Sequence, residues 1–191
     1  MALIDVAARE IHAKIVYYGP GLSGKTTNLQ VVHASLPEHV KSQLVSIDTE
    51  AERTLFFDFL PLDVGTVHGY RLRLQLYTVP GQTLYRQTRL AVLSGADGVV
   101  FVADAQRERL ADNLQSLREL AQNLLRQGKR FTAFPLVLQY NKMDLANALP
   151  LPVLDRYLNS MRAPRFPAIA IQSIGVIETL RAIVKIVIDR L

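Results

Sequence analysis

The sequence predicts an α/β fold, a mostly parallel central sheet with helices on both faces, and three observations carry that expectation. Short β-rich apolar runs alternate with longer segments of helical period along the chain. Two of the runs, Gly98–Ala103 and Leu136–Leu138, are continuously apolar, as strands buried on both faces are. A third, Ala13–Tyr18, passes directly into a glycine-rich turn and then a helix-compatible segment. With 191 residues, 49% of them hydrophobic, the chain can bury one substantial core, so one domain over residues 1–191 is expected.

Taken in order, strands are expected at Ala13–Tyr18, Leu44–Ile47, Leu55–Leu60, Tyr70–Thr78, Val99–Ala103, Leu136–Tyr140 and Ala168–Ile171. In Tyr70–Tyr77 the alternation is strict: Leu72, Leu74 and Leu76 should face a core while Arg71, Arg73 and Gln75 look outward. That half-polar pattern predicts a strand near the sheet edge. Helices are expected at Thr26–Ala34, Leu110–Arg126, Pro152–Met161 and Val176–Arg190. In the last, Val176, Ile177, Leu180, Ile183, Val184 and Val187 recur at helical spacing and form a docking stripe, with Gly175 just before it. Proline breaks at Leu36-Pro37, Leu149–Pro152 and Ala163–Pro167 separate elements and are too short to be interdomain linkers.

Composition excludes several classes of function. There is no cysteine, hence no disulfide, thiolate metal site, thiol nucleophile or lipidated cysteine, and a cytoplasmic location is expected. The four histidines are scattered without metal-ligand spacing. Asp5 and the Arg9-Glu10 pair interrupt the N-terminal apolar stretch, no apolar run of membrane-spanning length exists, and residue 2 is Ala, so neither a signal peptide nor a direct membrane anchor is expected. The net charge of +5 is spread along the chain without an arginine-rich tail or interleaved aromatics, which argues against nucleic acid as a partner.

The most specific stretch is Gly19-Pro20-Gly21-Leu22-Ser23-Gly24-Lys25-Thr26, which reads as a phosphate-binding loop. Glycines let the backbone curl until successive N–H groups point inward at oxyanions, and the following helix adds the positive end of its dipole. Backbone from Gly19, Gly21, Leu22, Ser23 and Gly24 through Thr27 should line the phosphates. Lys25 should reach the β- and γ-phosphates, and Thr26 should ligate Mg²⁺.

A second constellation, Asn141-Lys142-Met143-Asp144, follows the central strand Leu136–Tyr140, where an open parallel sheet binds ligands outside the carboxyl ends of its strands. An ionised Asp144 has two acceptor oxygens that match the ring N–H and exocyclic amine of guanine; adenine offers no such pair of donors on that edge. Asn141 should tie this segment to the phosphate loop, and the stem of Lys142 should lie over the base. Together the two constellations imply a guanine nucleotide, GTP or GDP, as ligand.

On these motifs the chain resembles the Ras-like small GTPases, a P-loop fold, and more closely the bacterial MglA family of gliding-motility and cell-polarity switches. The runs that carry the likeness are Lys14–Asn28, Glu52–Pro61, Leu76–Gln82 and Gln139–Leu145. Tyr17-Tyr18-Gly19-Pro20-Gly21-Leu22 and Thr78-Val79-Pro80-Gly81-Gln82 are more specific than a phosphate loop alone. The resemblance implies further roles. Thr54 would join Thr26 on Mg²⁺ and touch the γ-phosphate, Gly81 would donate its N–H to that phosphate, and Gln82 would position the attacking water. Arg53 would be an arginine finger carried in the same chain, a group that contributes about 10³–10⁵ in rate. The catalytic set implied is thus Gln82, Arg53 and Lys25. Implied too are slow intrinsic hydrolysis, a monomer by itself, unknown effectors, a Roadblock-domain MglB-like activating partner and recruitment to cell poles by partners.

Two departures limit the likeness. Most Ras-like proteins have Asp where this chain has Thr78, a lack it shares with the MglA family, so two outcomes are expected as alternatives: Mg²⁺ is held less firmly, or Asp58 or another nearby carboxylate compensates. At the base loop Ile169-Ala170-Ile171 replaces the usual Ser-Ala-Lys, and only Ala170 matches, with a backbone N–H expected on the guanine carbonyl. Phe56, Phe57, Phe59, Tyr77 and Tyr85 cluster in or beside the expected switches and read as a partner-facing surface. The function expected is a GTP switch with partner-stimulated hydrolysis. A nucleotide-locked scaffold without useful turnover is a second reading, kept open by Thr78 and Pro80, and a small-metabolite phosphotransferase a third.

Overall fold

The computed structural model describes residues 3–47, 57–80 and 86–191. In chain order the elements are β1 (Leu3–Asp5), β2 (Glu10–Tyr18), α1 (Lys25–Ser35), β3 (Val45–Ile47), β4 (Phe57–Val67), β5 (Tyr70–Thr78), α2 (Arg86–Leu93), β6 (Gly98–Asp104), α3 (Leu110–Arg126), β7 (Leu136–Asn141), α4 (Leu151–Leu158), β8 (Arg165–Pro167) and α5 (Val176–Ile188).

One sheet runs β3-β4-β5-β2-β6-β7-β8, with β1 paired antiparallel to the start of β2. The pairs β2·β5, β2·β6, β6·β7 and β7·β8 are parallel, while β3·β4 and β4·β5 form an antiparallel ribbon. Helices cover both faces. Leu29 and Val32 of α1 and Val176, Leu180, Ile183 and Val187 of α5 pack on one side. On the other side sit Val92 and Leu93 of α2, Leu120 and Leu124 of α3, and Leu154 and Leu158 of α4. Every residue of β6 and β7 is buried, as their unbroken apolar runs require. In the sheet β2 lies between β5 on one side and β6 on the other, and the strand order reverses beside its end, the crevice where such sheets bind ligands.

The sequence expectations hold for β5, β6, β7, α1, α3 and α5 to within a few residues, and four differences have physical causes. First, β5 is an interior strand between β4 and β2, not an edge. Leu72, Leu74 and Leu76 are buried and Arg71 and Arg73 exposed, so its polar alternation reports a sheet face without a covering helix. Second, β4 runs through Pro61 to Val67; past its pairing with β3 at Phe57–Phe59 its outer side meets the 40–42 segment, where the Pro61 carbonyl accepts the Ser42 N–H and the irregular partner tolerates the missing proline donor. Third, the last strand is Arg165–Pro167 rather than Ala168–Ile171, and Ala170–Gln172 is a 3-10 turn. Pro167 fits there because β8 is paired on one side only. Fourth, α2 has no counterpart in the sequence reading: it buries Thr88 and Arg89 beside Val92 and Leu93, which hides its period. Among the described residues no helix is long and apolar enough to cross a membrane.

Candidate functional site

The phosphate loop leaves β2 at Gly19, whose φ of 144° is open to glycine; a Cβ there would lie 2.2 Å from the Val102 carbonyl oxygen of β6. Gly24 caps α1 at φ 98°, and a Cβ would lie 2.3 Å from Asn141 Nδ2. Both glycines therefore permit close approach as well as curvature. Leu22 sits between them at φ 62° with its side chain exposed, so the loop turns on backbone and keeps its N–H groups for a ligand. Ser23 Oγ is buried without a hydrogen-bond partner among the described residues. Thr27 is half-buried in the first turn of α1.

Lys25 is 6% exposed, and its ammonium donates to the Pro20 carbonyl at 2.7 Å and the Gly19 carbonyl at 3.1 Å. Burial, reinforced by the charge of Arg89 and opposed by that of Asp58, lowers its pKa from 10.5 to about 7. Phosphate anions favour the charged form and raise that value again. Above pH of about 7, nucleotide binding should therefore take up a proton, and affinity should fall as pH rises toward the ordinary lysine range, by at most about tenfold per unit. Calorimetry at pH 8 in buffers of different ionisation enthalpy checks this: binding heats independent of the buffer would show that Lys25 is already charged.

Thr26 donates to Asp58 Oδ2 at 2.6 Å. The same oxygen accepts the Thr78 hydroxyl at 2.9 Å, and Thr78 Oγ1 accepts the Asp58 N–H at 2.8 Å. Asp58, 8% exposed on β4, thus puts a carboxylate beside Thr78 of β5, where the sequence lacks one.

At the base end, Asn141 joins two loops. Its Nδ2 donates to the Ser23 carbonyl at 2.8 Å, as expected from the sequence, and its Oδ1 accepts the Ala170 N–H at 2.9 Å. That N–H is the one assigned to the guanine carbonyl; in the structure it serves Asn141, so Ala170 enters the site as the anchor of Asn141. Lys142, at φ 66°, is held by Asp104 at 2.6 Å, and Asp104 is 1% exposed with its backbone clasped by the Asn113 amide. Asp144 is exposed and forms no hydrogen bond or ion pair with the described residues, leaving both carboxylate oxygens available.

Two more arginines flank the phosphate loop. Arg89, 1% exposed, donates through Nε to the Pro80 carbonyl at 2.8 Å and pairs with Glu119 of α3 at 2.6 Å. Arg109 donates to the Gly21 carbonyl at 2.8 Å and pairs with Asp112 at 2.6 Å. Together with Asp104 and Asn113 these residues escaped the sequence reading; the signal available was a polar residue closing an apolar run, as Asp104 closes β6. Arg53, Thr54, Gly81 and Gln82 lie outside the described residues, as do Phe56 and Tyr85 of the aromatic cluster. Its described members meet: Tyr77 stacks at 4.7 Å from Phe59 and 5.9 Å from Phe57, with the Lys14 ammonium 4.6 Å over its ring.

A phosphate loop at the switch point, facing a carboxylate-bearing loop at the end of β7, is a guanine-nucleotide arrangement, and sequence comparison agrees. A model of the ADP-ribosylation factor family matches residues 2–182. The chain belongs to that family. It is also 48% identical over 191 residues, 100% of this chain and 98% of the relative, to the mutual gliding-motility protein MglA of Myxococcus xanthus (strain DK1622). As an ADP-ribosylation factor family member resembling MglA, it is a GTP-binding switch and a GTPase.

Proposed function

We propose that this GTPase is an Mg²⁺-dependent regulator of cell polarity or gliding motility whose slow hydrolysis is stimulated by a Roadblock-domain MglB-like protein. The likeness to MglA supports the process and the partner. In this reading Gly19, Gly21, Leu22, Ser23, Gly24, Lys25 and Thr27 hold the phosphates, with Thr54 and Gly81 on the γ-phosphate. Asn141, Lys142 and Asp144 hold the base, and Gln82 and Arg53 act on the reaction. The experiment on process and partner is single-turnover GTP hydrolysis with and without a Roadblock-domain protein.

The observation that carries the reading is the Asp58 carboxylate hydrogen-bonded to both Thr26 and Thr78. Mg²⁺ requires hard oxygen ligands, keeps several waters and is commonly completed by substrate phosphates. Thr26 Oγ1, with Asp58 behind it, fits that donor set, and Thr54 is the second protein ligand on this reading. Held by Thr26 and Thr54, Mg²⁺ would supply positive charge against the negative charge that develops on the transferring group. Asp58 orients the Thr26 hydroxyl and supplies the negative charge that Thr78 does not. This speaks against one of the two grounds for a nucleotide-locked scaffold, the missing carboxylate at Thr78; the other is Pro80.

Asp58→Asn keeps the size of the side chain and deletes its charge. It should raise the Mg²⁺ concentration for half-maximal hydrolysis by about tenfold or more, in line with the loss typical when an outer-shell partner of a metal site is removed. An unchanged Mg²⁺ dependence would mean that the metal is held elsewhere.

A further inference from the structure

Three side chains to which the sequence motifs assign no role, Asn28 of α1, Gln139 of β7 and Thr179 of α5, meet in the core, each 0% exposed. Asn28 and Gln139 form a reciprocal amide pair: Asn28 Nδ2 donates to Gln139 Oε1 at 2.8 Å, and Gln139 Nε2 to Asn28 Oδ1 at 2.9 Å. Gln139 Nε2 also donates to Thr179 Oγ1 at 3.1 Å, and the Thr179 hydroxyl donates to the Gly175 carbonyl one turn back. At the other end, the Gly24 carbonyl accepts both Asn28 Nδ2 at 2.9 Å and the Asn28 backbone N–H at 3.0 Å.

The chain of bonds has one direction. A threonine hydroxyl has one proton; committed to Gly175, it leaves Thr179 an acceptor, which fixes the Gln139 amide, which in turn fixes that of Asn28. In a trans peptide the carbonyl and the following N–H point opposite ways. A Gly24 carbonyl held back toward Asn28 therefore aims the Lys25 N–H forward, out of the helix N-terminus and into the phosphate loop. Packing alone would be served as well by apolar side chains, since replacing both partners of a buried hydrogen bond by apolar groups of similar shape is nearly neutral.

We propose that Gln139 is a positioning residue for nucleotide retention, which through Asn28 sets the Gly24 carbonyl and hence the direction of the Lys25 N–H. The relay runs beside the Asn141 link and does not share its atoms. It rests on the phosphate-loop reading above and adds a second tie from β7 to the phosphates.

The test is release of a fluorescent GDP from the full chain with Mg²⁺, together with the amide proton resonance of Lys25 in the GDP-bound state. Asn28→Leu/Gln139→Leu removes both amides at once and leaves neither unpaired. It should release GDP about tenfold faster, the factor that one ordinary hydrogen bond represents, and shift the Lys25 resonance. Release at the wild-type rate overturns the proposal, as does faster release with an unmoved Lys25 resonance, since the loss then lies elsewhere. Should the double variant fail to fold, the isosteric Thr179→Val decides: faster release with a shifted resonance upholds the relay, and wild-type release ends it. A wild-type chain that retains no guanine nucleotide removes the phosphate-loop reading and the relay with it, whereas retention in the wild type with unaltered variants removes the relay alone.

Discussion

Asp144→Asn is expected to lower GTP affinity by about 10⁴-fold or more while raising affinity for xanthosine triphosphate. A site built on hydrogen bonds to specific ligand groups rejects an unmatched pattern by about that factor. The carboxylate accepts two N–H bonds from guanine; an amide in its place offers one acceptor and two donors, which suits the second carbonyl of xanthine and leaves the guanine amine facing an N–H. Backbone consequences should be small. Asp144 is exposed and pairs with no described residue, and its loop is fixed without it, through Asn141 to Ser23 and Ala170 and through the Met143 N–H to the Ala168 carbonyl at 3.2 Å. Competition of GTP against xanthosine triphosphate on the purified variant reads the result. Unaltered GTP binding would show that another group reads the base.

The second large effect belongs to Arg53→Ala, which should lower partner-stimulated hydrolysis by about 10³-fold or more and leave GTP affinity nearly intact. Phosphoryl transfer needs charge neutralisation on the transferring group, and the described arginines beside the phosphate loop are otherwise engaged. Arg89 is held by Pro80 and Glu119, and Arg109 by Gly21 and Asp112. Arg53, just before Thr54, is the arginine that the likeness to MglA implies for this role. The activating protein then acts by repositioning residues of this chain, with no arginine of its own required. Arg53→Lys separates charge from geometry, since lysine keeps the charge and loses the planar fork. Single-turnover rates with the partner at saturation decide it, and a variant hydrolysing at the stimulated wild-type rate would exclude Arg53.

What the sequence disclosed was chemistry that is local in the chain. The phosphate loop needs its glycines, Lys25 and Thr26 within eight residues of the preceding strand, and the base loop needs Asn141 and Asp144 within four, so spacing alone exposes both. The central strands were equally legible, because burial on both faces demands an unbroken apolar run. Contacts made across the sheet were legible only in part. Asp58 could be suspected from the absence of an acid at Thr78, but its place on the same oxygen network as Thr26 comes from the antiparallel pairing of β4 with β5. The Asn28–Gln139–Thr179 relay and the Arg89–Glu119 pair bring polar groups into the core from segments far apart. Read along the chain, each looks like an interruption of a hydrophobic pattern. Arg89 shows the cost of that rule most plainly: a buried guanidinium erased the periodicity of α2 and left the whole helix unseen.

The same guanidinium constrains how α2 can move. Separating Arg89 from Glu119 would strand two opposite charges in a poorly hydrated space beside Tyr18, a penalty of about 3–5 kcal/mol when either partner is lost. The middle of α2 is thereby bolted to α3, and any rearrangement that accompanies GTP turnover should proceed as a pivot about that fixed point, with the helix remaining wound.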